Sequence, residues 1–145
     1  MKNKLNCVLL IDDDEPTNFL NQMLLEEEGC SEQVQVVQSG REALNYLTNN
    51  DHAEQHQGSF PCPDLIFLDL NMPAMDGWEF LDRYRKLEKK HKGKIILVML
   101  TTSLFPEDKV RAEAMPEIAG FENKPLTPEI IKKVMNRYFP EKTGE

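Results

Sequence analysis

The side chains best suited to chemistry are acids, and each follows a run of apolar residues. Asp12 and Asp13 come after Leu5-Asn6-Cys7-Val8-Leu9-Leu10-Ile11, and Asp69 comes after Leu65-Ile66-Phe67-Leu68. A hydroxyl and an amine are placed alike: Thr101 ends the run that begins near Lys94, and Lys124 follows the weaker run Ile118 to Glu122. Runs this short, closed by acids, prolines or glycines, read as strands buried on both faces. In an open parallel sheet, ligands bind beyond the carboxyl ends of the strands, so side chains at those ends are the first site candidates. Asp69 alone reads equally well as a turn-former; the other strand ends favour the site.

Three carboxylates brought within ~4 Å repel by roughly 4 kcal/mol per pair at an effective dielectric near ~20. Either one takes up a proton or a divalent cation lies between them. The cation is favoured, and an all-oxygen site suits Mg²⁺ better than a softer metal. Such an ion lets an anionic Asp69 approach an anionic phosphoryl donor as a nucleophile. Lys124 is then a point charge for one phosphoryl oxygen, and Thr101 a hydroxyl donor to another. A cis Lys124-Pro125 bond is expected, as a tight turn there would aim the amine inward.

These side chains converge only if the elements between them are helices. After Asp14 or Glu15 and Pro16, a first helix carries Phe19, Leu20, Met23 and Leu24 on one stripe and stops at Gly29. Val34 to Val37 is a short strand. Ser39-Gly40-Arg41-Glu42 has the form of a capping box for a helix reaching Thr48. The polar segment 49–63 is long for a connection and reads as an insertion. Asp76 caps a helix bearing Phe80, Leu81, Tyr84 and Leu87, with a basic end running from Arg83 to Lys94 read as a solvated face. A fourth helix opens at Pro106 and runs to about Met115; a fifth begins at Thr127-Pro128 and turns Ile130, Ile131, Val134 and Tyr138 inward. Strand and helix alternate five times. The expected fold is α/β: a flavodoxin-like, three-layer, doubly wound parallel sheet of strand order 2-1-3-4-5. That order gathers Asp12, Asp13, Asp69, Thr101 and Lys124 at one rim.

The 145 residues fit a single domain, with a core of about 5–139 and a short tail, 140–145. A net charge of −8, from 25 acids against 17 Lys plus Arg, disfavours a nucleic-acid surface. No signal-peptide pattern and no run of ~18 apolar residues occur, so a soluble cytoplasmic protein without membrane contact is expected. Cys7, Cys30 and Cys62 are an odd count without metal-like spacing and read as reduced packing residues. His52, His56 and Cys62 lie close in sequence, but in a polar segment with nothing to fix them as metal ligands.

The composite resembles the receiver domain of two-component response regulators, in particular the stand-alone CheY type. The residues that carry it are Asp12-Asp13, Asp69 within Leu-Asp-Leu-Asn-Met-Pro-Ala-Met-Asp-Gly, Thr101, and Lys124-Pro125, in family order and across nearly the whole chain. The resemblance implies that Asp69 accepts phosphate from a phosphohistidine on a histidine kinase or phosphotransfer protein. It implies Mg²⁺ held directly by Asp13, Asp69 and the Asn71 backbone carbonyl, with Asp12 acting through water. Thr101 would swing to the phosphoryl group, Lys124 would pair with it, and Phe121 would be the aromatic switch. Asn71 and Ser103 would tune dephosphorylation, the only other chemistry expected, so the chain is not an enzyme acting on other molecules. The output face would be the fourth helix, fifth strand and fifth helix, meeting a downstream partner as a monomer or weak dimer. Thr102 departs from the very small residue usual there and narrows access to the phosphoryl site.

Other readings are a pseudo-receiver that only binds partners, a flavin or nucleotide binder, and an aspartyl-nucleophile phosphatase. A nucleotide binder wants a Gly- or Ser/Thr-rich loop where Asp12 to Glu15 stand. The phosphatase wants a second acid where Asn71 stands.

Overall fold

The computed structural model describes residues 4–48, 62–72, 74–87, 95–102 and 105–143. The chain alternates β1 (Leu5–Ile11), α1 (Glu15–Glu28), β2 (Ser31–Val37), α2 (Gly40–Thr48), β3 (Leu65–Leu68), α3 (Gly77–Arg85), β4 (Ile96–Thr101), α4 (Pro106–Glu113), β5 (Gly120–Asn123) and α5 (Pro128–Tyr138), with a short α6 (Pro140–Thr143). The strands form one sheet in the order β2-β1-β3-β4-β5, and every neighbouring pair is parallel. All carboxyl ends therefore lie on one edge. Among the described residues no helix is long and apolar enough to cross a membrane.

Period-two alternation divides the core between the two faces of the sheet. Val8, Leu10, Phe67, Val98 and Leu100 pack with Leu25 of α1 and Ile131, Val134 and Met135 of α5. Leu9, Ile11, Ile66, Leu68, Leu97 and Met99 pack with Ala43 and Leu47 of α2 and Phe80, Leu81 and Tyr84 of α3. Burial on both sides is why β1, β3 and β4 read as unbroken apolar runs. β2, at the sheet edge, begins three residues earlier than its apolar pattern indicates, because Ser31 pairs with Leu5 although Glu32 and Gln33 are exposed. β5, the other edge, lies at 120–123 rather than 118–122, and α4 ends at Glu113, two residues early.

Local chemistry sets the helix ends. The Asp14 carboxylate accepts the Thr17 N–H at 3.0 Å and Pro16 lies in the first turn of α1. Ser39 Oγ accepts the Glu42 N–H at 3.1 Å, while the Glu42 carboxylate accepts from Gln38 N–H at 2.8 Å, one residue upstream of the partner a capping box would use. Asp76 caps α3 through the Glu79 N–H at 2.9 Å, and Thr127 caps α5 through the Ile130 N–H at 3.1 Å. At the amino edge of the sheet, Asp64 accepts from Asn6 N–H at 2.7 Å and donates its own N–H to the Cys7 carbonyl at 2.9 Å, which fixes the entry into β3.

Gly29 closes α1 at φ 64°, donating its N–H to the carbonyls of Leu25 and Glu26. A Cβ at this position meets nothing within 4 Å. Gly29→Ala is therefore expected to destabilise by about 1 kcal/mol through the left-handed backbone alone. Urea denaturation with an unchanged m-value checks it; a cost of several kcal/mol would indicate a steric clash instead.

The stripe Phe19, Leu20, Met23 and Leu24 is not the buried face of α1. Phe19 and Leu20 are 64% and 58% exposed and Met23 is 43% exposed, whereas Asn18, Asn21 and Leu25 face inward. Leu24 alone of the four packs against the core from its edge.

Candidate functional site

Each rim side chain is positioned by the last ladder bonds of its strand. Asp12 donates its N–H to the Val37 carbonyl at 3.2 Å, and Asp69 donates to the Ile11 carbonyl at 2.9 Å, so the ends of β1 and β3 lie side by side. Lys124 donates its N–H to the Thr101 carbonyl at 2.8 Å, which joins the ends of β4 and β5. The Asp12 backbone is held a second time by Asn18, whose Nδ2 donates to its carbonyl at 2.8 Å. The Asp12 carboxylate also accepts the Asp14 N–H at 2.9 Å, folding the acidic turn over itself.

The turn after Asp69 is equally constrained. Gly77 donates its N–H to the Leu70 carbonyl at 2.8 Å. A Cβ on Gly77 would sit 2.9 Å from Leu70 Cα and 3.0 Å from the Asp69 carbonyl oxygen. Only glycine lets the start of α3 press this closely on the Asp69 backbone. Between them Ala74 adopts φ 66° and Met75 seats its thioether against Gly40.

Asp12, Asp13 and Asp69 offer carboxylate oxygens that all lie within 4.8 Å of one another. Asp12 and Asp69 are buried, each 5% exposed, and Asp13 faces solvent. Among the described residues this is the one such group of metal-ligating side chains. Lys124 reaches into it, placing Nζ 2.6 Å from Asp12 Oδ2 and 3.2 Å from Asp69 Oδ1. The amine expected to serve a phosphoryl oxygen thus already bridges two of the acids. Its own pKa feels burial pulling it down, but the bonds to Asp12 and the charges of both acids outweigh that and hold it above the ordinary lysine value. Burial pushes the Asp69 carboxyl up to about 6, against the opposing pull of Lys124 and with the repulsion of Asp12 added.

The remaining sequence candidates fall around this centre. Thr101 is fully buried at the end of β4, and Thr102 beside it is exposed. The Asn71 N–H points at Asp69 Oδ1 from 3.4 Å, and its side chain is exposed. Phe121 is half-buried against the α2–α3 side of the core, on β5. The Lys124-Pro125 bond is cis, as the turn suggests. Ser103, His52, His56 and segment 49–61 lie outside the described residues, as do the lysines of the basic run beyond Lys86. Cys7 and Cys30 are buried, Cys62 is exposed, and all three are unbridged.

Two features escape sequence reading. Asn18 and Asn21 are buried under the rim, the spacing i, i+3 with Leu25 at i+7 being the trace they leave. The exposed apolar side of α1 meets the cis turn in a groove of about 590 Å³ that opens beside Lys124, lined by Leu20, Met23 and Leu24 with Thr102, Pro125 and Leu126.

Comparison with known proteins gives this rim a context. Residues 8–136 match the response regulator receiver domain. The chain is 31% identical over 135 residues to hybrid signal transduction histidine kinase L of Dictyostelium discoideum, covering 92% of this chain and 7% of that protein. A two component response regulator from Cytophaga hutchinsonii superposes with a TM-score of 0.82 at 35% identity, over 93% of this chain and 97% of that one. The Vibrio cholerae chemotaxis protein CheY4 gives a TM-score of 0.69 at 29% identity, over 92% and 98%. With its five-stranded order, its acids at the ends of β1 and β3 and its lysine at the end of β5, the chain belongs to the response regulator receiver domain family of two-component signalling.

Proposed function

We propose that the chain accepts a phosphoryl group on Asp69 from a phosphohistidine of a histidine kinase or phosphotransfer protein, and answers by switching its α4-β5-α5 face for a downstream partner. The observation that carries this is the meeting of three carboxylates and one amine at adjoining strand ends. The three carboxylates are an all-oxygen donor set that fits Mg²⁺; Asp13, Asp69 and the Asn71 carbonyl would hold the ion, with Asp12 assisting through water. When bound, the ion supplies positive charge that offsets the repulsion between the carboxylates and an incoming phosphoryl group.

A carboxylate oxygen of Asp69 forms a bond to phosphorus as the phosphorus–nitrogen bond breaks. The bonding pair returns to the ring nitrogen, and the imidazole leaves neutral when its other nitrogen carries a proton. Lys124 leaves its two carboxylates for a phosphoryl oxygen, and the Thr101 hydroxyl donates to another. That move draws Thr101 from its buried position and lets Phe121 turn inward. Phosphorylation adds about −1.5 to −2 charge, which biases the surface from Glu107 to Tyr138. Asn71 and Ser103 set how fast water removes the group. The chain turns over only its own phosphoryl group.

Mg²⁺-dependent labelling by a small phosphodonor, lost in Asp69→Ala, tests the reading. An unlabelled wild type would overturn it in favour of a partner-binding module. The exposed apolar side of α1 gives the donor protein a docking face beside the rim. Leu20→Asp is therefore expected to slow transfer from a phosphohistidine protein by about tenfold or more, the cost of a ~1.4 kcal/mol contact. Labelling by the small donor should stay unchanged; a parallel loss would place Leu20 in the chemistry rather than in docking.

A further inference from the structure

Behind the acidic rim lies a second polar feature with no role in the transfer just described. Asn18 is 4% exposed. Its orientation is set by an acceptor, the Asp12 carbonyl, which requires the amide nitrogen on that side. Oδ1 is thereby turned the other way, where no donor among the described residues reaches it. An unsatisfied buried acceptor is costly, so such atoms are normally met by protein or by an internal water.

Beneath the rim is a cavity of about 10 Å³, the room one water requires. Its polar walls are Asn18, Asn21, Asp12 and Asp69; the rest is strand core such as Leu10 and Phe67. The contacts Asp69 receives from Asn71 and Lys124 both fall on Oδ1. A donor from below would restrain the carboxylate from a direction that neither supplies.

We infer that Asn18 holds a buried water behind the rim and through it orients the Asp69 carboxylate. The water donates one hydrogen to Asn18 Oδ1 and the other to Asp69, while Asn18 Nδ2 keeps the end of β1 in place. Asn18 is a positioning residue for the nucleophile. This role rests on the reading of Asp69 as the phosphoacceptor.

Two measurements on the full chain test it. A crystal structure of the wild type, at a resolution that orders surface water, is expected to show density within hydrogen-bond distance of Asn18 Oδ1 and an Asp69 oxygen. An empty cavity overturns the inference, whatever the labelling result. In steady labelling with acetyl phosphate and saturating Mg²⁺, Asn18→Leu removes the acceptor at similar volume. Its maximal rate is expected to fall about tenfold, at the low end for losing a group that orients a reacting ligand. The donor concentration at half-maximal rate should not move. Asn18→Ser, which retains an oxygen acceptor, should recover most of the rate. Equal losses in both variants, or a wild-type rate in Asn18→Leu, overturn the inference. An unlabelled wild type refutes the phosphoacceptor reading instead, and the density then decides the water site by itself.

Discussion

Lys124→Met is expected to destabilise the metal-free protein by about 3 kcal/mol at pH 8, the low end for removing one partner of a buried charge group. The stem is preserved and only the charge is lost. Asp12 and Asp69 then face one another, each 5% exposed, without the amine that lies 2.6 Å from one and 3.2 Å from the other. Lysine stays protonated throughout the range of the experiment, so the pH dependence belongs to the acids. Asp69, already pushed up to about 6, rises further once Lys124 no longer pulls it down. Proton uptake relieves the repulsion in the variant first, so the penalty shrinks as pH falls through the variant's raised value and levels off below about 6, where the wild-type carboxyl is protonated as well. Added Mg²⁺ should shrink it as well, since a ligand of the folded state stabilises by mass action. Urea unfolding at pH 8 and pH 5, with chelator or with Mg²⁺, reads all of this. A penalty indifferent to pH and metal would assign Lys124 a packing role.

Asp69→Asn has the opposite sign. The folded carboxyl titrates near 6 and the unfolded one near its ordinary 3.8. Above pH 6 both states are ionised and folding carries the full cost of burying the charge. Between the two values the folded state binds the proton more readily, and the cost disappears as pH falls. Below the unfolded value none is left. At ~1.4 kcal/mol per unit over a rise of about two units, the substitution should be more favourable to the metal-free protein by about 3 kcal/mol at pH 8 than at pH 3.5, the amide's own burial entering equally at both. Thermal melting across that range measures it. A stabilisation that persists at low pH would mean that charge burial is not its source. Asp69 thus weakens the fold that presents it.

The rim was legible in the sequence because a parallel sheet converts a one-dimensional pattern into a place. Apolar runs ending in Asp12, Asp69, Thr101 and Lys124 need no side-chain geometry to be put on one edge, and the order β2-β1-β3-β4-β5 does the rest. Caps at Asp14, Asp76 and Thr127 were readable for a similar reason, since a cap is a local bond between near neighbours. The facing of α1 was not. Helical periodicity shows that Phe19, Leu20, Met23 and Leu24 share a side, but not whether that side meets the sheet or solvent. Asn18 and Asn21 take the inward positions instead, and Asn18 does so with its amide donating to the Asp12 carbonyl. The pairing of Lys124 with the acids was missed because a phosphoryl oxygen and a carboxylate make the same demand on an amine.

The fixed polarity of the sheet has a further outcome. Four of the five strands, β1, β3, β4 and β5, deliver their site residues to the carboxyl edge, while α2 leaves Thr48 and the chain re-enters at Asp64, which is clamped to Asn6 and Cys7 on the amino edge. The molecule therefore has a written side and a blank one. Thr48 and Asp64 both lie on that blank side, so changes at either position are kept the full length of the strands away from the rim where Asp12, Asp69 and Lys124 meet.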